Sequence, residues 1–387
     1  MKIDRRANSI SLTSSSENGS LRSDKTMDAQ AVLGIITLHT SDFLIVITAK
    51  KQVATLLGAA VYLATDFRVL PIDSDANRNS TMQHPIEKTL LGLLKTHLYS
   101  APFYFSYDYD LTSSMQRQAK QGGKGGAANL PSIWKRADDR FFWNRHLQTR
   151  LIELTESGTA GDFSRFIQPV VFGFLEIKSA TVNGRDFVFG LVARRSRFRA
   201  GTRYFSRGID KDGHVSNFNE TEQFVLLDQA PSDGKEKFGK TKGEIRLSYI
   251  QTRGSVPVFW AEVNNLRYKP DLLVMEKPET VSREFVAYLK GKLLNLSFLL
   301  CFQLEAAQLH FQEQTSIYGD VYLVNLVNQA GYEKPIKEAY ERLVEKLRNP
   351  QVHYTYYDFH HECKGMKFER VMGLVDTMNQ KGLENDE

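Results

Sequence analysis

The chain has 387 residues, 42% hydrophobic and 25% charged, and carries a net charge of +5 from 50 Lys and Arg against 45 Asp and Glu. That length predicts two packed units with a sizeable core and excludes a wholly disordered or fibrous chain; so mild a charge excludes nucleic-acid binding by bulk attraction but allows a local basic site. Two cysteines, Cys301 and Cys363, exclude a disulfide framework or a four-thiolate zinc site within the chain and fit a reducing compartment.

In chain order, residues 1–27 hold seven serines with scattered charges and no helical or strand period, and read as a disordered arm. They show no apolar leader segment. Residues 32–38 and 43–48 are β-rich runs joined by His39-Thr40-Ser41-Asp42, a predicted hairpin, and 61–70 predicts a further strand or two. Leu90, Leu91, Leu94 and Leu98 recur at helical spacing and predict a helix over 86–99. Residues 103–107 form an aromatic strand, and 118–129, with Gly122, Gly123, Gly125 and Gly126, a surface loop. A short helix is predicted over 138–147, anchored by Phe141, Phe142 and Trp143. Near Ile167-Gln168-Pro169 the pattern turns to long strands at 170–177, 187–193, 223–227 and 245–251, and a domain boundary is placed there. Ile336, Ala339, Tyr340, Leu343, Val344 and Leu347 make the apolar stripe of a helix over 333–348. A strand at 352–359 and a last helix over 362–379 follow. The most apolar window, 293–302, has 10 residues and contains Asn295 and Ser297, against about 20 needed to span a bilayer, so no membrane anchor is expected within the chain.

The most informative segment is 194–208, with six arginines (Arg194, Arg195, Arg197, Arg199, Arg203 and Arg207) and no acidic residue. Guanidinium groups so crowded repel one another and need compensation. Arginine binds phosphate oxygens in bidentate fashion, and in an extended chain Arg195, Arg197 and Arg199 share a face, suited to a polyphosphorylated headgroup. The competing reading is structural, with the arginines paired to Asp210, Asp212, Glu220 and Glu222. Contact with a nucleic-acid backbone is disfavoured by the near-neutral remainder of the chain.

Other motifs are less specific. Residues 234–241 match the phosphate-loop pattern literally, but Pro231-Ser232-Asp233 stands where a buried strand is required and a strand pattern follows where a helix is required, so the segment reads as a lysine-rich hairpin loop. His360-His361-Glu362-Cys363 lacks a second ligand pair and reads as capping and packing, with no metal expected. A thiolate phosphatase needs an Arg six positions after its Cys. The sixth position is Glu369 after Cys363 and Ala307 after Cys301, so neither qualifies.

The arginine segment, with 209–213 and 217–223 after it, closely resembles the Sac-domain phosphoinositide phosphatases. The resemblance extends to 103–111, Asp139-Arg140-Phe141-Phe142-Trp143-Asn144, Phe166-Ile167-Gln168-Pro169, 251–257, Trp260, Asn264-Asn265-Leu266, Tyr268-Lys269-Pro270, Tyr318-Gly319, 324–329 and Asp358-Phe359-His360, and it is strongest to the phosphatidylinositol 4-phosphate phosphatases of the endoplasmic reticulum and Golgi. It implies an α/β (α+β) fold: a small N-terminal Sac subdomain over 28–165, then a partial catalytic subdomain over 166–387 on a large mixed sheet flanked by helices. It also implies cofactor-free hydrolysis through a phosphocysteine in a Cys-x5-Arg loop downstream of Asp358-Phe359-His360, on lipids at the cytoplasmic face of those membranes. No such loop occurs here, so the resemblance gives no catalytic residue and predicts an incomplete, inactive chain. Arg199, Arg203, Arg207, Arg253 and Lys269 are the candidate headgroup contacts, with phosphoinositide headgroups and a membrane surface as partners and no nucleic acid. The alternative is a non-catalytic phosphoinositide- or partner-binding module. Residues 281–303 look like an insertion, and a sheet cut short is expected to expose apolar faces and a strand edge.

Overall fold

The computed structural model describes residues 2–4, 9–12, 27–72, 84–122, 131–159, 161–201, 206–228, 244–263, 271–274 and 296–383. Arg203, Lys269, the phosphate-loop pattern, the end of the glycine-rich loop and residues 281–295 of the suspected insertion lie outside these. The chain divides into two compact units, Met1–Arg197 with Asn219–Thr252, and Phe198–Phe218 with Arg253–Glu387.

The first unit is built on an eight-stranded sheet whose spatial order follows the sequence: β3 (Ala31–Thr37), β4 (Asp42–Leu56), β5 (Ala59–Pro71), β6 (Phe103–Phe105), β7 (Val171–Val182), β8 (Arg185–Arg195), β9 (Asn219–Asp228) and β10 (Glu244–Arg253). A separate antiparallel pair, β1 (Lys2–Asp4) and β2 (Ser9–Ser11), lies within the stretch read as a disordered arm. Ile10 explains it, because that side chain is buried in the core. The predicted hairpin at 39–42 joins β3 to β4, with the Leu38 N–H donating to the Ser41 carbonyl at 3.0 Å. Asn183 and Gly184, both at positive φ, make the tight turn between β7 and β8, the turn whose twist suits a two-residue hairpin.

Alternation along β4 buries both faces of the sheet. Leu44 and Val46 join a cluster with Trp134, Phe142, Leu151 and Phe163. Ile45 and Ile47 join another with Phe67, Leu98, Phe103 and Phe105. The helices α1 (Pro85–Ser100), α2 (Met115–Gly122), α3 (Ile133–Arg136) and α4 (Arg145–Ser157) lie in the long connections. Gly34 sits at a bulge with φ +138°, where an added Cβ would stand 2.5 Å from the Leu147 backbone, so β3 and α4 meet only because that residue is glycine.

Three local expectations are corrected. The predicted helix at 138–147 is a turn followed by α4, because Phe141 and Phe142 N–H groups both bond the Asp138 carbonyl. The predicted loop from Gln118 opens as α2, with the Ser114 hydroxyl accepting from the Arg117 N–H at its start. The large sheet is antiparallel rather than mixed, since each strand pairs with its neighbour in sequence. It also runs across Ile167-Gln168-Pro169, with Phe103 opposite Phe172 and Tyr104 opposite Val171.

The second unit contains the antiparallel pair β11 (Trp260–Val263) and β12 (Asp271–Val274), the helix α5 (Leu296–Tyr318), and a parallel β13–α6–β14 unit. There β13 (Val321–Asn325) and β14 (Val352–Tyr356) flank α6 (Lys334–Leu347) in sequence. The predicted stripe buries Ile336, Ala339, Tyr340 and Leu343, the last three packing with Val258, Ala307 and Phe311. The single helix expected over 362–379 is broken into α7 (Phe359–Glu362) and α8 (Val371–Gln380), because Gly365 and Met366 both take positive φ between them.

Candidate functional site

The arginine segment does not stay extended. Strand β8 ends at Arg195, and Arg199 sits in a turn at φ +45°, so Arg195, Arg197 and Arg199 do not line one strand face. The segment also crosses from one unit to the other after Arg197.

In the first unit, Arg194 is fully buried and compensated from within. Antiparallel pairing sets it opposite Glu220. Its guanidinium donates to Glu220 at 3.0 Å, to Glu222 at 2.6 Å and to the Leu111 and Ser113 carbonyls at 2.6 and 3.2 Å. Glu222 also accepts from the Met115 N–H at 2.7 Å and the Ser248 hydroxyl at 2.8 Å. Arg117 bridges Glu220 and Asp138 at 3.1 and 2.7 Å, and Arg140 chelates Asp138. Burial disfavours the charged Arg194, yet Glu222 and Glu220 outweigh it and hold its pKa above the ordinary value. Asp138 is likewise kept below the usual carboxylate range because Arg140 and Arg117 overcome the effect of burial. Asp110, buried close by, is pushed up by desolvation. Arg197 pairs with Asp139, and Arg195 lies over the Phe172 ring at 5.5 Å. Acidic neighbours therefore account for Arg194 and Arg197, as the structural reading of the run anticipated for Glu220 and Glu222.

In the second unit, residues 198–201 and 206–218 are knitted by hydroxyls. Arg199 donates through Nε to Ser216 Oγ at 3.0 Å and through Nη2 to the Arg207 carbonyl at 2.7 Å. Ser206 donates to the Arg199 carbonyl at 3.1 Å and to Ser216 Oγ at 2.9 Å. Gly208, at φ +69°, bonds Ser255 Oγ through its N–H at 2.8 Å; a Cβ there would meet the Val258 carbonyl at 2.4 Å. Arg207 projects against Glu262, donating at 2.9 and 3.0 Å, with its guanidinium 5.2 Å from the Trp260 ring centre. Its buried Nε–H has no acceptor among the described residues. Such a donor calls for a water or a ligand. The Arg253 side chain is exposed and has no ion pair or hydrogen bond among the described residues.

Of the candidate contacts, Arg199, Arg207 and Arg253 thus fall in one unit, the first two joined through a carbonyl, while Arg203 and Lys269 lie outside the described residues. Ser206, Ser216, Ser255 and Glu262, which position this loop, were not singled out by residue chemistry. Ser255 stood within a matching motif, whereas a lone Glu262 gave no signal. At 358–363, the Asp358 carboxylate accepts from the His361 N–H at 3.0 Å, His360 and His361 are exposed, and Cys363 is buried beside Tyr357. That is capping and packing. Among the described residues no group of His, Cys, Asp and Glu could hold a metal ion.

The loop-and-strand segment that carries these arginines lies inside a region matched end to end by one family: the SacI homology domain, over residues 30–364. This chain belongs to that family. The Sac domain here is 39% identical over 357 residues to the Phosphatidylinositol-3-phosphatase SAC1 of Saccharomyces cerevisiae, covering 92% of this chain and 50% of that protein. It is 38% identical over 347 residues to the Phosphatidylinositol-3-phosphatase SAC1-B of Danio rerio, covering 90% and 51%. To the Phosphatidylinositide phosphatase SAC2 of Mus musculus it is 37% identical over 329 residues, covering 78% and 25%. The Sac chain spans about half the length of the SAC1 proteins it matches. Among its described residues, no helix is long and apolar enough to cross a membrane.

Proposed function

We propose that this chain is the N-terminal and partial catalytic portion of a phosphoinositide phosphatase, in which Arg199, Arg203, Arg207, Arg253 and Lys269 face the phosphorylated inositol headgroup. The observation that carries the reading is the family match across 30–364, together with relatives whose names state phosphatidylinositol phosphatase activity. The unmatched Arg207 Nε–H and the exposed Arg253 support it locally. The proposed reaction is attack of a Cys-x5-Arg thiolate on the phosphorus of the ring phosphate, breaking its bond to the ring oxygen, which takes up a proton and leaves as the inositol hydroxyl; water then cleaves the S–P bond of the phosphocysteine, releasing inorganic phosphate and restoring the thiolate. Neither cysteine of this sequence has an arginine six positions on, so the nucleophile is assigned to residues not among these 387. On this reading the functional division falls at residues 165–166, a partial catalytic subdomain following the N-terminal one.

The substrate proposed is phosphatidylinositol 4-phosphate at endoplasmic reticulum and Golgi membranes, which rests on the subgroup resemblance; the names of the SAC1 relatives state the 3-phosphate. Vesicles carrying either monophosphate distinguish the two. The account expects tighter binding to the 4-phosphate, weakened by Arg207→Ala and by Arg253→Glu, with no phosphate released by the 387-residue chain. Equal binding to vesicles without phosphoinositide would remove the headgroup reading. The second reading is a binding module without chemistry of its own: neither cysteine has the Cys-x5-Arg spacing, and Cys363 is buried and hydrogen-bonded to Tyr357. Joining the missing segment to this chain separates the readings, since only the first expects turnover to appear.

A further inference from the structure

Among the described residues, the sheet of the first unit ends in a strand with no neighbour beyond it. Strand β10 is the last in the spatial order, and none of its backbone groups bonds outside the sheet among the described residues. Edge strands are ordinarily defended by charged side chains, lysine above all, by proline, bulges or short length. Residues 244–253 contain neither Lys nor Pro and run for ten residues; their charges are Glu244 and Arg253 at the two ends and Arg246 on the inner face, so the outward-facing centre of the strand carries none.

The side chains on this edge are apolar where they face solvent. Ser248 points inward, because its hydroxyl bonds the buried Glu222. Alternation then turns Ile245, Leu247 and Tyr249 outward, and they are 40%, 55% and 53% exposed. On the inner face of the adjacent strand, Phe224 and Leu226 fill the core, so Val225 and Leu227 share the outer face, and pairing places them beside Phe189 and Phe187 of β8. Further from the edge the same face becomes polar, with Lys178 paired to Glu176 at 2.7 Å on β7. Apolar exposure therefore rises toward the open edge.

We infer that β10 pairs antiparallel with β10 of a second copy of this chain, across a twofold axis at Leu247. The sequence of the strand is self-complementary in that register. Leu247 meets its own copy, Ile245 meets Tyr249 of the partner subunit, and on the inner face Arg246 meets Ser248 of the partner subunit, so no like charges are opposed. A two-residue slip one way sets Arg246 against itself. A slip the other way sets Ile245 against Gln251. A one-residue slip opposes outward to inward side chains. The antiparallel sense of the existing sheet simply continues, and a symmetric pair closes without leaving that edge open to further growth.

The test uses the whole chain. Sedimentation velocity at micromolar concentration is expected to show a species of twice the 44.1 kDa chain mass, dissociating on dilution. Leu247→Lys, which sets two ammonium groups side by side, is expected to weaken the dimer about tenfold or more. A second experiment reads the register and does not depend on dissociation. With Cys301 and Cys363 both replaced by Ala, Leu247→Cys is expected to crosslink to its own copy under mild oxidation. Ile245→Cys alone is expected to stay uncrosslinked, and Ile245→Cys with Tyr249→Cys to crosslink. A monomer at every concentration overturns the inference. So does a dimer indifferent to Leu247→Lys, self-crosslinking at 245 in place of 247, or a monomer that binds vesicles through Leu247.

Discussion

Two arginine clusters, a few residues apart in sequence, are compensated in opposite ways. At Arg194 the strand pairing delivers carboxylates to the guanidinium, Glu220 from directly opposite and Glu222 from two residues along β9, and the cluster is sealed from water. In the described part of the loop over 198–218, Arg199 donates to a hydroxyl and a carbonyl, neither of which carries a charge, and Arg207 meets one carboxylate while its Nε–H has no acceptor among the described residues. The difference is one of geometry. A β-ladder fixes which residues face one another and can satisfy a buried charge completely, whereas a loop closed by serines leaves directions open. Crowding of arginines alone does not imply a ligand; incomplete internal pairing is the better guide.

The comparison can be broken hardest at the buried end. Arg194→Met leaves Glu220 and Glu222 without their shared partner in the core and is expected to cost about 3–5 kcal/mol, as removal of one member of a buried pair does. Urea unfolding followed by fluorescence measures it. Exchanging Glu220 and Glu222 for Gln together with Arg194→Met is expected to recover part of that loss. Next in size is an alkaline transition in the second unit. Burial pushes the Tyr354 and Tyr356 phenols up to about 12 from 10.0, aided at Tyr356 by the Asp358 charge. Phenols whose pKa is raised by folding stay protonated while those of the unfolded chain ionise, so their contribution is complete below pH 10 and is lost between pH 10 and 12. A denaturation midpoint that stays flat across that window would contradict the assignment.

Smaller effects are expected in the loop. Arg207→Ala removes a largely buried ion pair with Glu262 and is expected to cost about 1 kcal/mol or more of stability while lowering affinity for phosphoinositide vesicles about tenfold. Arg207→Lys keeps the charge without the planar fork and is expected to fall between. Arg253→Glu, at an exposed side chain, is expected to leave the melting temperature unchanged and act on vesicle binding alone, more at low salt than at high.

Much of the fold is readable from the amino acids where the period is unambiguous. The hairpin at 39–42, the helix over 85–100, the long strands after Val170 and the stripe of Ile336, Ala339, Tyr340 and Leu343 all follow from alternation or helical spacing. Elements governed by particular hydrogen bonds do not. Phe141 and Phe142 look like a helix face until the Asp138 carbonyl takes both of their N–H groups, and the C-terminal helix looks continuous until Gly365 and Met366 turn the chain. Around the site, residue type singled out the arginines but not their partners. Asp139 and Glu262 lie more than fifty residues away in sequence from Arg197 and Arg207, and only the folded chain brings them together.

The most direct measurement of the central claim is co-sedimentation of the 387-residue chain with vesicles bearing phosphatidylinositol 4-phosphate, run beside the Arg207→Ala, Arg253→Glu double variant. Retention of the parent chain, and its release when both side chains are changed without loss of folding, is the predicted result. Equal retention of the two proteins would show that Arg207 and Arg253 do not hold the headgroup.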